Sequence, residues 1–170
     1  MKKQNVRIAY IGIGSNLGNR EENLSTALNR IGEFAGCIEA ASSLYETEPW
    51  GFQTDKKFLN MVVKIETFLD PKTLLQSLLK IEKTMGRERN SIKYASRIID
   101  LDILFYSNLI SEDLELTIPH PHIHERMFVL LPMNEIDQDF IHPVFNQSVN
   151  SLLKSCSDIS SVVKHRFTSN

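Results

Sequence analysis

The sequence predicts an α+β protein of ferredoxin-like architecture, in which helices pack on an antiparallel or mixed sheet and additions follow at the C-terminus. The prediction rests first on the order of the segments, which is strand, helix, strand, strand, helix, strand. It rests also on composition: 170 residues, of which 42% are hydrophobic and 24% charged, are typical of one globular domain. Residues 1–170 are therefore expected to form a single domain.

The first strand and helix are predicted near the N-terminus. Residues 6–12 are short, apolar and ended by glycine, which is typical of a buried strand. Asn19 can cap the helix that follows, because Glu22 stands three residues later as the reciprocal partner. Apolar residues then recur at helical spacing, and residues 37–45 are expected to be extended.

The second strand and helix follow a polar segment. Residues 46–57 contain proline and glycine and are predicted to form a loop. Residues 58–66 have β-branched side chains at their centre, which favours a strand. Asp70 precedes a proline, which indicates a helix start, and Gly86 is expected to end that helix.

The second half of the chain completes the pattern and adds to it. Residues 97–106 contain an apolar strand, and residues 114–118 favour a further short strand. Helices are predicted over residues 125–136 and 148–156. Residues 159–167 are expected to be either a last strand or without regular structure.

Overall charge and hydropathy exclude several classes of protein. The formal net charge is −2, so no global positive field would hold DNA or RNA. No apolar run reaches the roughly 18 residues of a membrane span, and no apolar signal region follows the N-terminal residues. Cys37 and Cys156 are expected to be reduced thiols. The chain is therefore predicted to be cytoplasmic, without nucleic-acid, membrane or obligate protein partners.

Asp100 and Asp102 are the most informative residues of the sequence. Side chains two residues apart in a strand point to the same face, with Cα atoms roughly 7 Å apart. Two carboxylates on an otherwise apolar strand repel each other and lose hydration, and a divalent cation would remove both costs. Mg²⁺ is commonly held by one or two carboxylates with substrate phosphates and water. A solvated edge strand is the alternative interpretation.

A basic stretch lies immediately before the two aspartates. Its cations are Arg87, Arg89, Lys93 and Arg97. Guanidinium groups bind phosphate oxygens that metal ions leave uncovered, so this position favours a triphosphate site over a solvated loop. Glu82, near the end of the preceding helix, is interpreted either as a ribose ligand or as a surface residue.

Glycine-rich phosphate loops do not explain such a site. Gly12, Gly14 and Gly18 follow a strand and precede a helix, but their spacing has one residue more than the dinucleotide fingerprint. The Walker pattern does not occur in the sequence. A Rossmann oxidoreductase is therefore disfavoured, and any ATP is expected to bind without a P-loop.

Three histidines alternate with other residues in one short segment. His120, His122 and His124 could bind a transition metal from an extended chain, but Pro119 and Pro121 restrict the backbone there. The favoured interpretation is that one of the histidines contacts a phosphate. Elsewhere, aromatic residues together with a hydroxyl and an amide suggest a slot for a flat heterocycle.

These residues occur in motifs that resemble those of the 6-hydroxymethyl-7,8-dihydropterin pyrophosphokinases, enzymes of folate biosynthesis. The main matching segments are YIGIGSNLG at 10–18, YETEPWG at 45–51, FLN at 58–60, RIIDLDI at 97–103 and IPHP at 118–121. They appear in family order and cover roughly residues 8–143. The R-x-x-D-[LIV]-D core with the downstream PHP motif is specific to the family.

The resemblance implies that the chain transfers pyrophosphate from ATP to the hydroxymethyl group of the pterin and releases AMP. It implies that Asp100 and Asp102 hold two Mg²⁺ ions, while Arg87 and Arg97 neutralise charge at the transferred group. The residues expected around ATP are Glu82, Arg89, Lys93, Arg97, Ile103, Thr117, His120 and Arg126. The residues expected around the pterin are Thr47, Trp50, Phe58, Asn60, Tyr94 and Phe128, with the two phenylalanines sandwiching its rings and Tyr94 in a lid.

The sequence also departs from the family pattern. Tyr94-Ala95-Ser96 stands where many members have Trp-Gly-Pro, which is expected to affect lid motion more than chemistry. Phe58 replaces a tyrosine found in some members, and residues 159–170 have no expected role. The alternative function is a degenerate ferredoxin-like module that binds ATP or pterin without transfer. Retention of both aspartates and both arginines argues against that alternative.

Overall fold

The computed structural model describes residues 5–49, 54–87 and 96–166. Within these residues the main sheet has six strands, β1 (Arg7–Ser15), β2 (Cys37–Ala41), β3 (Tyr45–Thr47), β4 (Phe58–Thr67), β5 (Asp100–Tyr106) and β8 (Val162–Lys164). A separate hairpin consists of β6 (Ser111–Asp113) and β7 (Leu116–Ile118). The described helices are α1 (Arg20–Phe34), α2 (Pro71–Thr84), α3 (Met127–Asp137) and α4 (Val149–Ser155), with a 3₁₀ turn at Ile123–Glu125.

The order of strands across the sheet is that of a ferredoxin-like fold. The strands run β5-β1-β4-β3-β8, and β2 also pairs with β4. Each pairing between these strands is antiparallel. The predicted α+β, ferredoxin-like class is therefore confirmed, with an antiparallel sheet.

The first two helices begin at the predicted capping residues. The Asn19 side chain accepts a hydrogen bond from the Glu22 amide, and the Asp70 carboxylate accepts from the amides of Lys72 and Thr73. Gly86 follows α2 with a φ of 89°, a left-handed conformation that glycine adopts without strain. No helix in the described part of the chain has the length and apolar character needed to cross a bilayer.

The two faces of the sheet are covered differently. Helices α1 and α2 pack over one face, on a cluster that includes Ile11, Ile13, Leu101 and Ile103. Helices α3 and α4 pack on the other face, against Tyr10 and neighbouring apolar side chains. Alternation along each strand therefore sends neighbouring residues to different environments.

Several predicted boundaries needed correction. The predicted loop 46–57 begins later than expected, because Glu46 and Thr47 belong to β3 and pair with β4. The tail forms β8, which pairs with β3. The strand predicted within residues 97–106 covers Asp100–Tyr106, and the helix predicted from residue 125 begins at Met127 after the 3₁₀ turn.

Strand β5 contains a bulge at Leu104. The register shifts there, because Tyr10 pairs with Phe105 whereas Ile11 pairs with Ile103. Leu104 and Phe105 consequently both face α3 and α4. The carbonyl of Leu104 accepts a hydrogen bond of 3.0 Å from the His120 amide. Bulges commonly redirect chain segments beside functional sites, and this one anchors the start of the histidine segment.

Candidate active site

A cavity of about 420 Å³ opens on the sheet face that α1 and α2 do not cover. Two rows of paired residues form its floor across β4, β1 and β5: Asn60–Gly14–Asp100 and Val62–Gly12–Asp102. The central member of each row is a glycine, so no side chain stands between the carboxylates and β4. The remaining wall includes Thr47, Glu48, Phe58, Arg87, Arg97, His120, His122, Arg126 and Phe128.

The two predicted aspartates have different electrostatic surroundings. The Arg97 guanidinium donates to Asp100 Oδ2 at 2.7 Å, and Arg87 contacts the other oxygen of Asp100. Loss of hydration, with the nearby charges of Asp100 and Glu82, raises the pKa of Asp102 to about 7. An added positive charge would therefore be stabilised beside Asp102.

Glu82 lies beneath the cavity and does not line it. Its side chain is buried, and it accepts from the Leu101 amide at 2.8 Å while forming an ion pair with Arg87. The Glu82 carboxylate therefore links the end of α2 to the backbone of β5. It also links both to Arg87, one of the predicted phosphate-binding arginines. Compensation by Arg87 explains how a carboxylate is tolerated at a helix C-terminus.

Other predicted site residues lie apart from the described cavity lining. Ile103 is buried among the side chains under α1 and α2, on the opposite face from Asp102. Thr117 is exposed on β7, where its hydroxyl donates to the Asp113 carbonyl at 3.3 Å. The predicted residues Trp50, Arg89, Lys93 and Tyr94 lie outside the described residues.

A polar pair occupies the end of the cavity near β3. Asn60 Nδ2 donates to Thr47 Oγ1 at 2.8 Å, and both side chains are buried. This contact leaves Asn60 Oδ1 as an acceptor and the Thr47 hydroxyl proton as a donor. A Cβ atom at Gly14 would lie 2.8 Å from Asn60 Oδ1, so glycine is required for the amide to occupy this position.

The three alternating histidines separate in the structure. His120 lines the cavity, and its Nδ1 accepts from the His122 amide at 3.3 Å, which places the proton of the neutral ring on Nε2. Burial, together with Arg126 and His122, lowers the pKa of His120 to about 4. His124 packs on Phe145 instead, with ring centroids 4.7 Å apart. The structure thus brings His120 and His122 into the cavity wall, with the His120 ring as an uncharged donor, and leaves His124 outside that wall.

Asn16 is a residue near the site to which the sequence assigned no role of its own. It is buried directly after β1 and hydrogen-bonds to the backbone of Arg97. A polar residue at the end of an apolar strand is a weak local signal. Its partner lies 81 residues away in the chain, so the sequence pattern did not reveal this contact.

The fold and the site together define a class of protein. Paired carboxylates lie beside Arg87, Arg97 and Arg126 in one cavity, next to a slot with one acceptor and one donor. Phosphoryl-transfer enzymes position charged groups in this manner, because charge neutralisation and alignment supply most of their catalysis. The arrangement is the one expected of a phosphotransferase site, here on a ferredoxin-like fold.

Comparison with known proteins gives the particular family. The family model of 7,8-dihydro-6-hydroxymethylpterin-pyrophosphokinase matches residues 10–138. The 2-amino-4-hydroxy-6-hydroxymethyldihydropteridine pyrophosphokinase of Haemophilus influenzae is 40% identical over 151 residues, which are 88% of this chain and 93% of that protein. The chain therefore belongs to the 7,8-dihydro-6-hydroxymethylpterin-pyrophosphokinase family, and the resemblance seen in the sequence is confirmed.

Some relatives are much longer than this chain. The folic acid synthesis protein fol1 of Schizosaccharomyces pombe is 40% identical over 148 residues, which are 86% of this chain but 20% of that protein. The solved HPPK-DHPS of Plasmodium falciparum superimposes with a TM-score of 0.76, over 91% of this chain and 46% of that one, at 20% identity. The chain thus spans about a fifth of the fungal relative, and the likeness to the solved structure shows the fold.

Proposed function

We propose that this cavity transfers the pyrophosphoryl group of ATP to the hydroxymethyl oxygen of 6-hydroxymethyl-7,8-dihydropterin and releases AMP. The observation that carries the proposal is the position of Asp100 and Asp102, beside Arg87 and Arg97 and in the same cavity as the Thr47–Asn60 pair. Family membership supports the same reaction. A single cavity accordingly offers a phosphate-binding half and a heterocycle-binding half.

The carboxylate pair fits magnesium. Asp100 and Asp102 offer hard oxygen ligands on one face of β5, and the raised pKa of Asp102 indicates a site short of positive charge. Within the described residues no group of three His, Cys, Asp or Glu side chains could hold a metal. We therefore propose that the two carboxylates hold two Mg²⁺ ions together with phosphate oxygens and water. When bound, Mg²⁺ neutralises phosphate charge and orients the triphosphate.

The cationic side chains then act on the triphosphate. Arg87 and Arg97 line the cavity beside Asp100, where guanidinium groups can bind the oxygens of the transferred group. Neutral His120 presents Nε2–H as an additional donor, and Arg126 adds charge on the same side. These groups bind and align ATP, so that the alcohol oxygen attacks the β-phosphorus, the bond to the α-phosphate oxygen breaks and AMP leaves.

The slot near β3 is proposed to bind the pterin. Phe58 and Phe128 line the cavity and offer ring faces, while Thr47 and Asn60 offer a donor and an acceptor to the heterocycle edge. Contacts of Glu82, Arg89, Lys93, Ile103 and Thr117 with ATP, and of Trp50 and Tyr94 with pterin, stay predictions. The buried position of Glu82 supports an effect through Arg87.

A cytoplasmic location and an organisation as one domain are also proposed. Cys37 and Cys156 are free thiols in the structure, which agrees with a reducing compartment. The proposed partners are the two small-molecule substrates. The described cavity contains groups suited to both of them.

The test of the proposal is a product assay with ATP, 6-hydroxymethyl-7,8-dihydropterin and a titration of Mg²⁺. We expect pterin-dependent AMP and no activity after chelation. ADP as the product would show attack at the γ-phosphorus and contradict the proposed alignment. A folded protein that binds both substrates and forms neither nucleotide would favour the degenerate binding module.

Substitution of Phe128 tests the pterin half separately. Because the ring lines the cavity, Phe128→Ala should weaken pterin binding by roughly 5–150-fold, the effect of losing about 1–3 kcal/mol of ring contact. ATP binding should change by much less. Isothermal titration of each substrate measures both affinities, and equal losses for the two would contradict a ring-stacking role.

A further inference from the structure

We propose that Asn16 is a positioning residue, which fixes the backbone of Arg97 for catalysis and joins the two segments that enter the cavity wall. This inference rests on the proposed function of Arg97. Asn16 is 3% exposed, and it directly follows β1, the central floor strand of the cavity. Its side chain does not line the cavity, so any effect on catalysis must pass through its partners.

The first contact is a reciprocal pairing with Arg97. Asn16 Oδ1 accepts from the Arg97 backbone N–H at 2.7 Å, while the Asn16 backbone N–H donates to the Arg97 carbonyl at 3.1 Å. Both backbone polar groups of Arg97 are thus bound by one residue. This pairing fixes the position of the Arg97 Cα relative to β1, and therefore relative to the glycines and aspartates of the floor.

The second contact joins another part of the wall. Asn16 Nδ2 donates to Ser96 Oγ at 3.1 Å and to the Lys56 carbonyl at 3.3 Å. Lys56 lies two residues before Phe58, where the chain enters β4 and lines the cavity. The buried side-chain amide of Asn16 therefore holds two segments: the one that leads into β4 beside the heterocycle slot, and the one that leads into β5.

The side-chain amide of Asn23, in α1, also binds backbone groups beside Asn16 and Arg97. Asn23 Nδ2 donates to the Leu17 carbonyl at 2.8 Å, and it also lies within 3.2 Å of the Ile98 carbonyl and 3.1 Å of Ser15 Oγ. The turn after β1 and the residue after Arg97 are therefore held together. Asn16 and Asn23 fix the backbone on both sides of Arg97.

The Asn16 contacts matter for catalysis because they set the position of the Arg97 guanidinium. The Arg97 guanidinium reaches Asp100 Oδ2 at 2.7 Å, across three residues of chain. Misplacement of a catalytic group by about 1 Å can cost roughly 10²-fold in rate. Loss of the Asn16 side chain removes the Oδ1 contact with the Arg97 amide and leaves the backbone bond to the Arg97 carbonyl, so the effect should be on turnover and should depend on Arg97.

A double-mutant cycle tests the proposal. We expect Asn16→Ala to lower kcat by roughly 100-fold, and to lower it by less than about threefold in an Arg97→Ala background, because both changes act through the same group. Additive losses would overturn the proposal. If Arg97→Ala itself leaves kcat unchanged, the proposed function of Arg97 fails, which is a different result. Should Asn16→Ala not fold, Asn16→Asp is measured instead: it keeps the acceptor for the Arg97 amide and removes both Nδ2 donations, so kcat should stay within about threefold of the wild-type value, and a loss of roughly 100-fold would overturn the proposal.

Thr67→Val is the matched control for a purely structural role. Thr67 is 1% exposed, and its hydroxyl donates to the Ala35 carbonyl at 2.6 Å at the far end of β4. The control should lower the urea midpoint without lowering kcat. An equal fall in kcat in Thr67→Val, at a matched loss of stability, would show that Asn16 acts only through stability and would overturn the proposal.

Discussion

The two faces of the sheet use the same strands for different purposes. Toward α1 and α2, β1 and β5 present Ile11, Ile13, Leu101 and Ile103, all of which are buried. Toward the cavity, the intervening residues are two glycines and two aspartates. The comparison shows that stability and chemistry are separated by residue alternation, so neighbours in sequence should respond differently to substitution.

The cavity face is itself divided at the bulge of β5. On the C-terminal side of Leu104 in β5, the side chains of Tyr10 and Phe105 pack under α3 and α4. On its N-terminal side, Asp100 and Asp102 face the cavity. Helices α3 and α4 thus pack on one half of this face, whereas α3 contributes only to the wall of the other half, through Phe128 and Val129 at its start. The half that is left open as a cavity holds the carboxylates.

Asp102→Ala should have the largest effect on activity. Removing a proposed metal ligand forfeits several kcal/mol of charge stabilisation, so kcat should fall by roughly 10³-fold or more. The fold should be retained, because the raised pKa of Asp102 indicates that its charge does not favour the folded state. Steady-state AMP formation and circular dichroism measure the two properties.

Ile103→Val is the matched control, one residue along on the opposite face. It should lower the free energy of unfolding by about 0.5–1.5 kcal/mol and leave the ATP affinity unchanged. A marked loss of ATP affinity in this variant would support the predicted ATP contact and contradict the separation of the faces. Normal turnover in Asp102→Ala would contradict the metal assignment.

Gly14→Ala should have the next largest effect, confined to the pterin. A methyl group at this position would lie 2.8 Å from Asn60 Oδ1 and displace the amide. Loss of a buried hydrogen bond costs about 1–3 kcal/mol, so pterin affinity should fall by roughly 5–150-fold. Gly12→Ala is the control, since its methyl group would meet Leu104 at 3.4 Å, an ordinary contact. Calorimetric titration with pterin should show a loss in the first variant alone.

The smallest expected effect concerns acid stability in the packed half. His142 is buried between the rings of Phe105 and Phe145, and its Nδ1 accepts from the Val144 and Phe145 amides. Burial lowers the pKa of His142 to about 4. The unfolded state therefore binds the proton more readily, and this contribution, present above pH 6.5, is lost as the pH falls toward 4.

His142→Asn measures that contribution. Asparagine keeps an acceptor for the same backbone amides and does not titrate. The wild-type protein should lose on the order of 2 kcal/mol more than the variant between pH 6.5 and 4, as measured by urea unfolding. Parallel pH profiles for the two proteins would show that the pKa of His142 is the same in the folded and unfolded states, and would contradict its lowering by burial.

Local periodicity made most of the fold predictable. The features of α2 depend on residues that are close together in the sequence. Its apolar stripe of Leu74, Leu78 and Ile81 is buried and Asp70 caps the helix, both as predicted. Strands β3 and β8 could not be predicted with the same accuracy. Each is three residues long and forms by pairing with distant strands, which no short window of sequence encodes.

The site was predictable to a similar extent. The alternation that places Asp100 and Asp102 on one face of β5 also places Ile103 on the other face. This pattern was visible in the sequence and argued against Ile103 as a residue of the cavity lining. The Thr47–Asn60 contact and the pairing of Asn16 with Arg97 join distant segments. Such contacts follow from the tertiary fold, so they appear only in the structure.

The two glycines of β1 also have a consequence for motion. Opposite Asp100 and Asp102 the cross-strand partners have no side chains, so on the cavity face no side-chain contact between β1 and β5 supports the ladder there. At the other end, Tyr10 and Phe105 add an edge-to-face ring contact. Opening of the β1–β5 ladder therefore breaks fewer cross-strand side-chain contacts beside the carboxylates than at the Tyr10 end. Backbone amides beside the carboxylates should exchange their protons faster with solvent, and bound ligands should slow them most.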